Sequence, residues 1–259
     1  MTKKILIFIL LLFIFPLLTL IESCANKDKQ ISKQEQQVTP QKVDGNLTPL
    51  AQKGKDLFYS ISKENGLRCA DCHSDGTNTN SPLTKYFSNV IGANKRQSTY
   101  NGKFVGDDVT KNAGGSTICW KQYLLNDEPL TEEQIQSLNE YFSSLLKDGT
   151  PTESKYTTIA LPKPDKEKFK KEDKPKILAL QGNKERGEQI FKEACAFCHS
   201  NESKIKKTPK LNKFDVDRID PIAFHIRLGV KAMPFFAYEK FSDQDIADVS
   251  AYILNQLKK

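Results

Sequence analysis

Two short stretches carry the residues best suited to chemistry: Cys69-Ala70-Asp71-Cys72-His73 and Cys195-Ala196-Phe197-Cys198-His199. Both read C-x-x-C-H. Paired thiols next to an imidazole can hold zinc, exchange electrons as a dithiol, or form thioethers to a porphyrin whose iron the imidazole then ligates. The third chemistry accounts for the spacing. Two thiols three residues apart on a helical turn reach the two vinyl groups, and the adjacent His is delivered to the iron. A zinc knuckle needs a second pair close by, yet these pairs stand more than 120 residues apart. No βαβ pattern precedes either one, as a thioredoxin-like pair would require. The motifs therefore point to two covalently attached haem c groups, on Cys69, Cys72 and His73, and on Cys195, Cys198 and His199.

The residue opposite each proximal His separates an electron carrier from a site that binds something. The chain has two Met, and Met1 falls in the leader, which leaves Met233, 34 residues after His199. His199 and Met233 as iron ligands would raise the potential and close the second iron, whereas a core gap-filler is the other use of that Met. The first iron can have no Met. Of the three His, two are proximal, and His225 lies in the second half, where it reads as a surface or pocket-wall residue. Cys119, 46 residues after His73, is a cysteine with no other task, and as a thiolate opposite His73 it would lower the potential. A buried free thiol, ligation by a lysine, or an open iron are the alternatives.

Elements that could position these groups repeat in both halves. Thr48 can cap a helix opened by Pro49, with Leu50, Gly54, Leu57, Phe58 and Ile61 on one face. Gly187 and Phe191 repeat the spacing of Gly54 and Phe58 ahead of the second motif. A closing helix follows each motif. One begins at Thr131 with a Thr131/Gln134 capping box and carries Ile135, Leu138, Tyr141, Phe142 and Leu145; the other begins at Ser242 and carries Ile246, Val249, Tyr252 and Ile253. A glycine on the leading helix lets the closing helix cross it closely. The segment Ser74 to Thr117, with six glycines, either walls a pocket or coils over the surface, and Phe87, Tyr100 and Phe104 would cover porphyrin.

With Gly54, Phe58, Cys69 to His73 and Tyr141, and again with Gly187, Phe191, Cys195 to His199 and Tyr252, the sequence resembles the class I cytochrome c family twice over. The Gly229-Val230-Lys231-Ala232-Met233-Pro234-Phe235 segment resembles the distal-Met loop of that family. The resemblance implies an all-α fold of two tandem helical domains, residues 48–149 and 178–259. A Pro/Lys-rich linker, 150–177, would join them.

The leading segment is an export address. Lys3 and Lys4 precede an apolar run from Ile5 to Ile21, and Ile21-Glu22-Ser23-Cys24 resembles a bacterial lipobox. Residues 1–23 read as a lipoprotein-type signal peptide, Cys24 as the lipidated residue, and 24–47 as a flexible tether; an uncleaved helix is the alternative. The expected location is the periplasm or cell envelope, anchored to the membrane. Without the leader the chain loses two lysines and one glutamate, so its net charge of +7 becomes +6. With Lys interspersed among Glu and Asp and no Arg-rich stripe, nucleic-acid binding has no support.

These readings converge on an exported dihaem cytochrome moving single electrons between a donor and an acceptor, each a redox protein or membrane complex. The organisation is also similar to bacterial thiosulfate dehydrogenases, which implies an alternative: oxidation of an inorganic sulfur anion at a Cys119-ligated haem. In those enzymes an Arg stands four residues before the ligand Cys and a Ser four after it; here the positions hold Gly115 and Tyr123. Arg96, Lys111 or Lys121 would have to supply the cation. A dihaem peroxidase would need distal acid–base groups, and the scarcity of His argues against it.

Overall fold

The computed structural model describes residues 47–77, 81–100, 102–147 and 165–258, so the leader, Cys24 and all of the tether but Leu47 lie outside the described residues. Helix α1 (Pro49–Tyr59) starts where Thr48 accepts the Ala51 amide at 3.1 Å and Pro49 fills the first turn. It ends at Ser60, which turns extended. Ile61, expected on its apolar face, therefore falls past the helix and is 64% exposed. The first motif opens a single turn, α2 (Cys69–Cys72), where Asp71 accepts the Arg68 amide and guanidinium.

The glycine-rich segment is built rather than loose. It holds a two-stranded hairpin, β1 (Ser98–Thr99) with β2 (Phe104–Val105), a small departure from an all-α fold. The hairpin turn uses positive φ at Tyr100 and Gly102. Helices α3 (Asp107–Lys111) and α4 (Ser116–Gln122) follow, and α4 carries Cys119. The closing helix α5 (Glu132–Ser144) shows both bonds of the Thr131/Gln134 capping box.

The second half begins ahead of residue 178. Helix α6 (Lys166–Lys168), a π-helical turn (Phe169–Asp173) and α7 (Lys174–Leu178) occupy the end of the stretch expected as linker, and they bury Phe169 and Ile177 in the second core. Residues 150–164 lie outside the described ones. Helix α8 (Lys184–Ile190) runs through a π-helical turn (Phe191–Cys195) into α9 (Ala196–His199), so the second motif sits on a helical distortion of the kind that often marks functional sites. Helices α10 (Ile219–Leu228) and α11 (Asp243–Leu257) complete the chain.

The same joint appears in both halves. A Cβ on Gly54 would stand 2.0 Å from the Ser137 carbonyl oxygen, and one on Gly187 2.0 Å from that of Asp248. Helices α1 and α5, like α8 and α11, thus cross backbone against backbone at a glycine. Phe58 with Tyr141, and Phe191 with Tyr252, fill the joints at ring separations of 5.8 and 5.3 Å.

The described residues of the two halves also pack on each other within one compact unit. Tyr86 of the first half lies in the second core against Phe236 and Phe241. On the other side the Lys206 amide donates to the Asn65 carbonyl at 2.8 Å, and Lys207 pairs with Glu64.

Candidate functional site

One apolar cavity of about 710 Å³ runs between the halves, and both C-x-x-C-H motifs line it. Cys69, Cys72, Cys195 and Cys198 are unbridged thiols. Burial holds them protonated, pushing Cys69 and Cys195 up to about 12 and Cys198 up to about 11. The two motifs meet: Cys69 and Cys198 pack against one small apolar cluster, Leu67, Leu124 and Ile205, with Trp120, Tyr123 and Phe197 around it.

Each motif His is fixed in the same way. The Nδ1–H of His73 donates to the Ser88 carbonyl at 2.6 Å, and that of His199 to the Pro209 carbonyl at 2.8 Å. A carbonyl can only accept, so Nδ1 carries the proton and Nε2 keeps its lone pair for a metal. Burial lowers both imidazoles below the usual range, which favours this neutral form. Sequence reasoning missed both carbonyls. Pro209 offered a faint signal as the proline ten residues after His199; a main-chain oxygen at Ser88 offered none.

The remaining expected site residues separate clearly. Cys119 and Met233 both line the cavity, as do Phe87, Tyr100 and His225. Burial raises the Cys119 thiol to about 12, so it becomes a thiolate only with a cation's charge beside it. Tyr123 shares the wall, its hydroxyl 3.1 Å from that of Tyr100. Phe104 is not part of the wall. Of the three candidate cations, Arg96 lines the cavity and donates to the carbonyls of Asn89 and Ile91. Lys111 instead pairs with Asp108, and Lys121 donates to the Asp127 carbonyl.

The glycine-rich segment walls the first-half part of the cavity through Ser88 to Val90, Ala93, Thr99, Tyr100 and Ala113 to Ser116. Access is lopsided. The first-half residues lining the cavity are buried or half-buried, with the Arg68 side chain 41% exposed, whereas Lys207, Pro209, Lys213, Asp215, His225 and Lys231 of the second half are exposed.

Residues 182–253 match the family described as cytochrome c oxidase, cbb3-type, subunit III, a stretch that contains Gly187, the second motif, Met233 and Tyr252. Cytochrome c6 of Cyanidioschyzon merolae is 38% identical over 79 residues, 28% of this chain and 74% of the relative. This chain belongs to the class I c-type cytochromes. Cytochrome c6 of Cyanidium caldarium is 39% identical over 88 residues, 32% of this chain and 79% of that protein. A cytochrome c6-like protein of Nostoc is 37% identical over 79 residues, 28% and 70% of the two chains.

As a c-type cytochrome the chain carries covalently bound haem c and works as an electron carrier between redox partners. The residues present fit that group on their own account: neutral imidazoles with Nε2 open, free thiols at the right spacing, and an apolar wall. A polar atom at the periphery adds to the fit, since the buried Thr99 hydroxyl lines the cavity without a protein partner. Haem c supplies one-electron chemistry at iron; the chain's own part is to fix the ligands, exclude water and hold the group in place.

Proposed function

We propose that this cytochrome carries two haems. Cys69 and Cys72 would hold the first, with His73 and Cys119 as iron ligands; Cys195 and Cys198 would hold the second, with His199 and Met233. The observation that carries this reading is the single cavity into which both motifs, Cys119 and Met233 all open. Residues 48–149 and 178–259 act as its two haem domains, the second extended at its start by α6 and α7.

The two irons serve different ends. A thiolate partner lowers the potential of the first and a thioether raises that of the second, so single electrons run downhill from first to second. Exchange with outside partners takes place at the second half, where the exposed part of the cavity rim lies. Lys213 and Lys231 outnumber Asp215 there, which suits a partner acidic at its contact. Outside the described residues, the leader exports the chain and a lipid on Cys24 tethers it to the envelope membrane.

Oxidation of a sulfur anion has weaker support, because that chemistry needs a cation beside Cys119 and Arg96 is bonded to main-chain carbonyls. Intact mass analysis of the exported protein, with electron paramagnetic resonance of its oxidised form, tests the whole reading. The expected result is two haem masses and two low-spin centres, one thiolate-ligated and one thioether-ligated. A single haem mass would refute it. Rapid haem reduction on adding thiosulfate or sulfite would replace the carrier with the oxidoreductase.

A further inference from the structure

Met233 stands on a loop with almost no regular structure, so something other than a helix or sheet must keep it in place. Its leading side is pinned locally. Val230 and Met233 exchange backbone hydrogen bonds of 3.1 and 2.9 Å in a tight turn, and Gly229 opens that turn at φ +64°. The trailing side has no such turn of its own next to Met233. Its Phe236 amide donates to the Ile226 carbonyl at 2.8 Å. Further ties between this stretch and α10 go through the side chain of Arg227.

Arg227 projects from α10 and is only 3% exposed. Its Nη1 donates to two loop carbonyls, those of Phe236 at 3.3 Å and Phe241 at 2.5 Å. Its Nη2 donates to Asp243 at 2.7 Å, next to the Ser242 cap of α11. The guanidinium carbon lies 4.2 Å from the ring centroid of Tyr238, whose hydroxyl donates to the buried Asp173 of the preceding π-helical turn. Burying a guanidinium is costly, and an aliphatic side chain would fill the same space more cheaply. A planar fork, however, can satisfy two carbonyls at once while its charge is met by a carboxylate.

We propose that Arg227 is the positioning residue that keeps Met233 over the second haem iron, holding the far end of its loop as a clasp. It does not line the cavity. It acts by keeping the fraction of molecules with the loop lifted away small. The inference rests on the assignment of Met233 as iron ligand.

The test uses the full-length holoprotein and its Arg227→Met and Arg227→Lys variants, with Met233→Ala alongside. Two readouts serve: the thioether-to-ferric-iron absorption band, and the affinity of the ferric protein for cyanide. Cyanide binds only where the loop has lifted, so its apparent affinity reports the open fraction. Arg227→Met is expected to keep both haem masses, to lose most of the band and to bind cyanide at least tenfold more tightly. Arg227→Lys keeps charge and stem but reaches fewer carbonyls, and should fall between it and the wild type. Were Arg227→Met unable to fold, the lysine variant decides alone. A merely structural role would lower the unfolding midpoint and leave band and cyanide affinity of the folded protein unchanged in both variants, which overturns the proposal. A wild type without the band, indistinguishable from Met233→Ala, overturns the Met233 assignment and the clasp together. A wild type with the band beside unaltered variants overturns the clasp alone.

Discussion

Replacing Gly187 with Ala probes the joint on which the second half is built. The added methyl would sit 2.0 Å from the Asp248 carbonyl oxygen, 2.6 Å from its carbon and 3.0 Å from the Tyr252 Cβ. Two of these atoms are helix backbone and cannot swing aside, so α8 and α11 must separate by about 1 Å or more to restore ordinary contact. Alanine is the better helix former by roughly 1 kcal/mol, which offsets part of the cost. Overpacking a tight joint costs about 1–3 kcal/mol. Prising the helices apart also loosens Phe191 against Tyr252 and weakens the bonds around Asp248, each worth about 1 kcal/mol net. The expected destabilisation is about 3 kcal/mol, a fall in Tm of roughly 6–12 °C for a unit of this size. Urea titration followed by circular dichroism, on holoprotein with its haem content verified by mass, reads the change in midpoint. Gly54→Ala, with the same 2.0 Å approach to Ser137, should cost a similar amount. A loss below about 1 kcal/mol in both variants, with helicity and haem content intact, would refute backbone-to-backbone crossing at these glycines.

Other outcomes follow from the same geometry. Cys119→Ala should alter the low-spin resonance signal of one haem and leave the other untouched; an unaltered spectrum removes Cys119 from the iron. Met233→Ala should lower the midpoint potential of one haem only, as read by spectroelectrochemistry. Asp248 gives a pH dependence. Burial alone would push its carboxyl up, but the Asn183 amide at 2.8 Å, the Gln244 side chain and the Arg186 guanidinium outweigh burial and hold it below the usual carboxylate range. Its stabilising effect is therefore complete above pH ~4 and lost as pH falls through the folded-state value. Asp248→Asn should cost about 2 kcal/mol at neutral pH and flatten the acid limb of the stability curve. Raising ionic strength should slow electron exchange with an acidic partner, and Lys213→Glu with Lys231→Glu should slow it further; unchanged rates would move the contact away from the second-half rim.

What sequence made visible was local. Both C-x-x-C-H motifs, the caps at Thr48, Thr131 and Ser242, and the crossing glycines depend on residues a few positions apart, where side-chain type dictates geometry. What it hid depends on distant chain coming together. Phe169 and Ile177 were masked by surrounding lysines, and Pro175, which reads as a break, directly follows the π-helical turn within a continuous helical run over 166–178. The carbonyls that orient His73 and His199 leave no trace in side-chain type. The packing of Tyr86 into the opposite core, and the role of Arg227, follow from tertiary contacts that no periodicity encodes.

The lopsided cavity also bears on how the molecule is made. The first-half residues lining it are buried or half-buried, while the second half supplies most of the exposed rim. If the first motif carries haem as proposed, a group destined for Cys69 and Cys72 enters most easily before residues 165–258 settle against the earlier part of the chain. On that reading maturation has a direction, amino-terminal motif first.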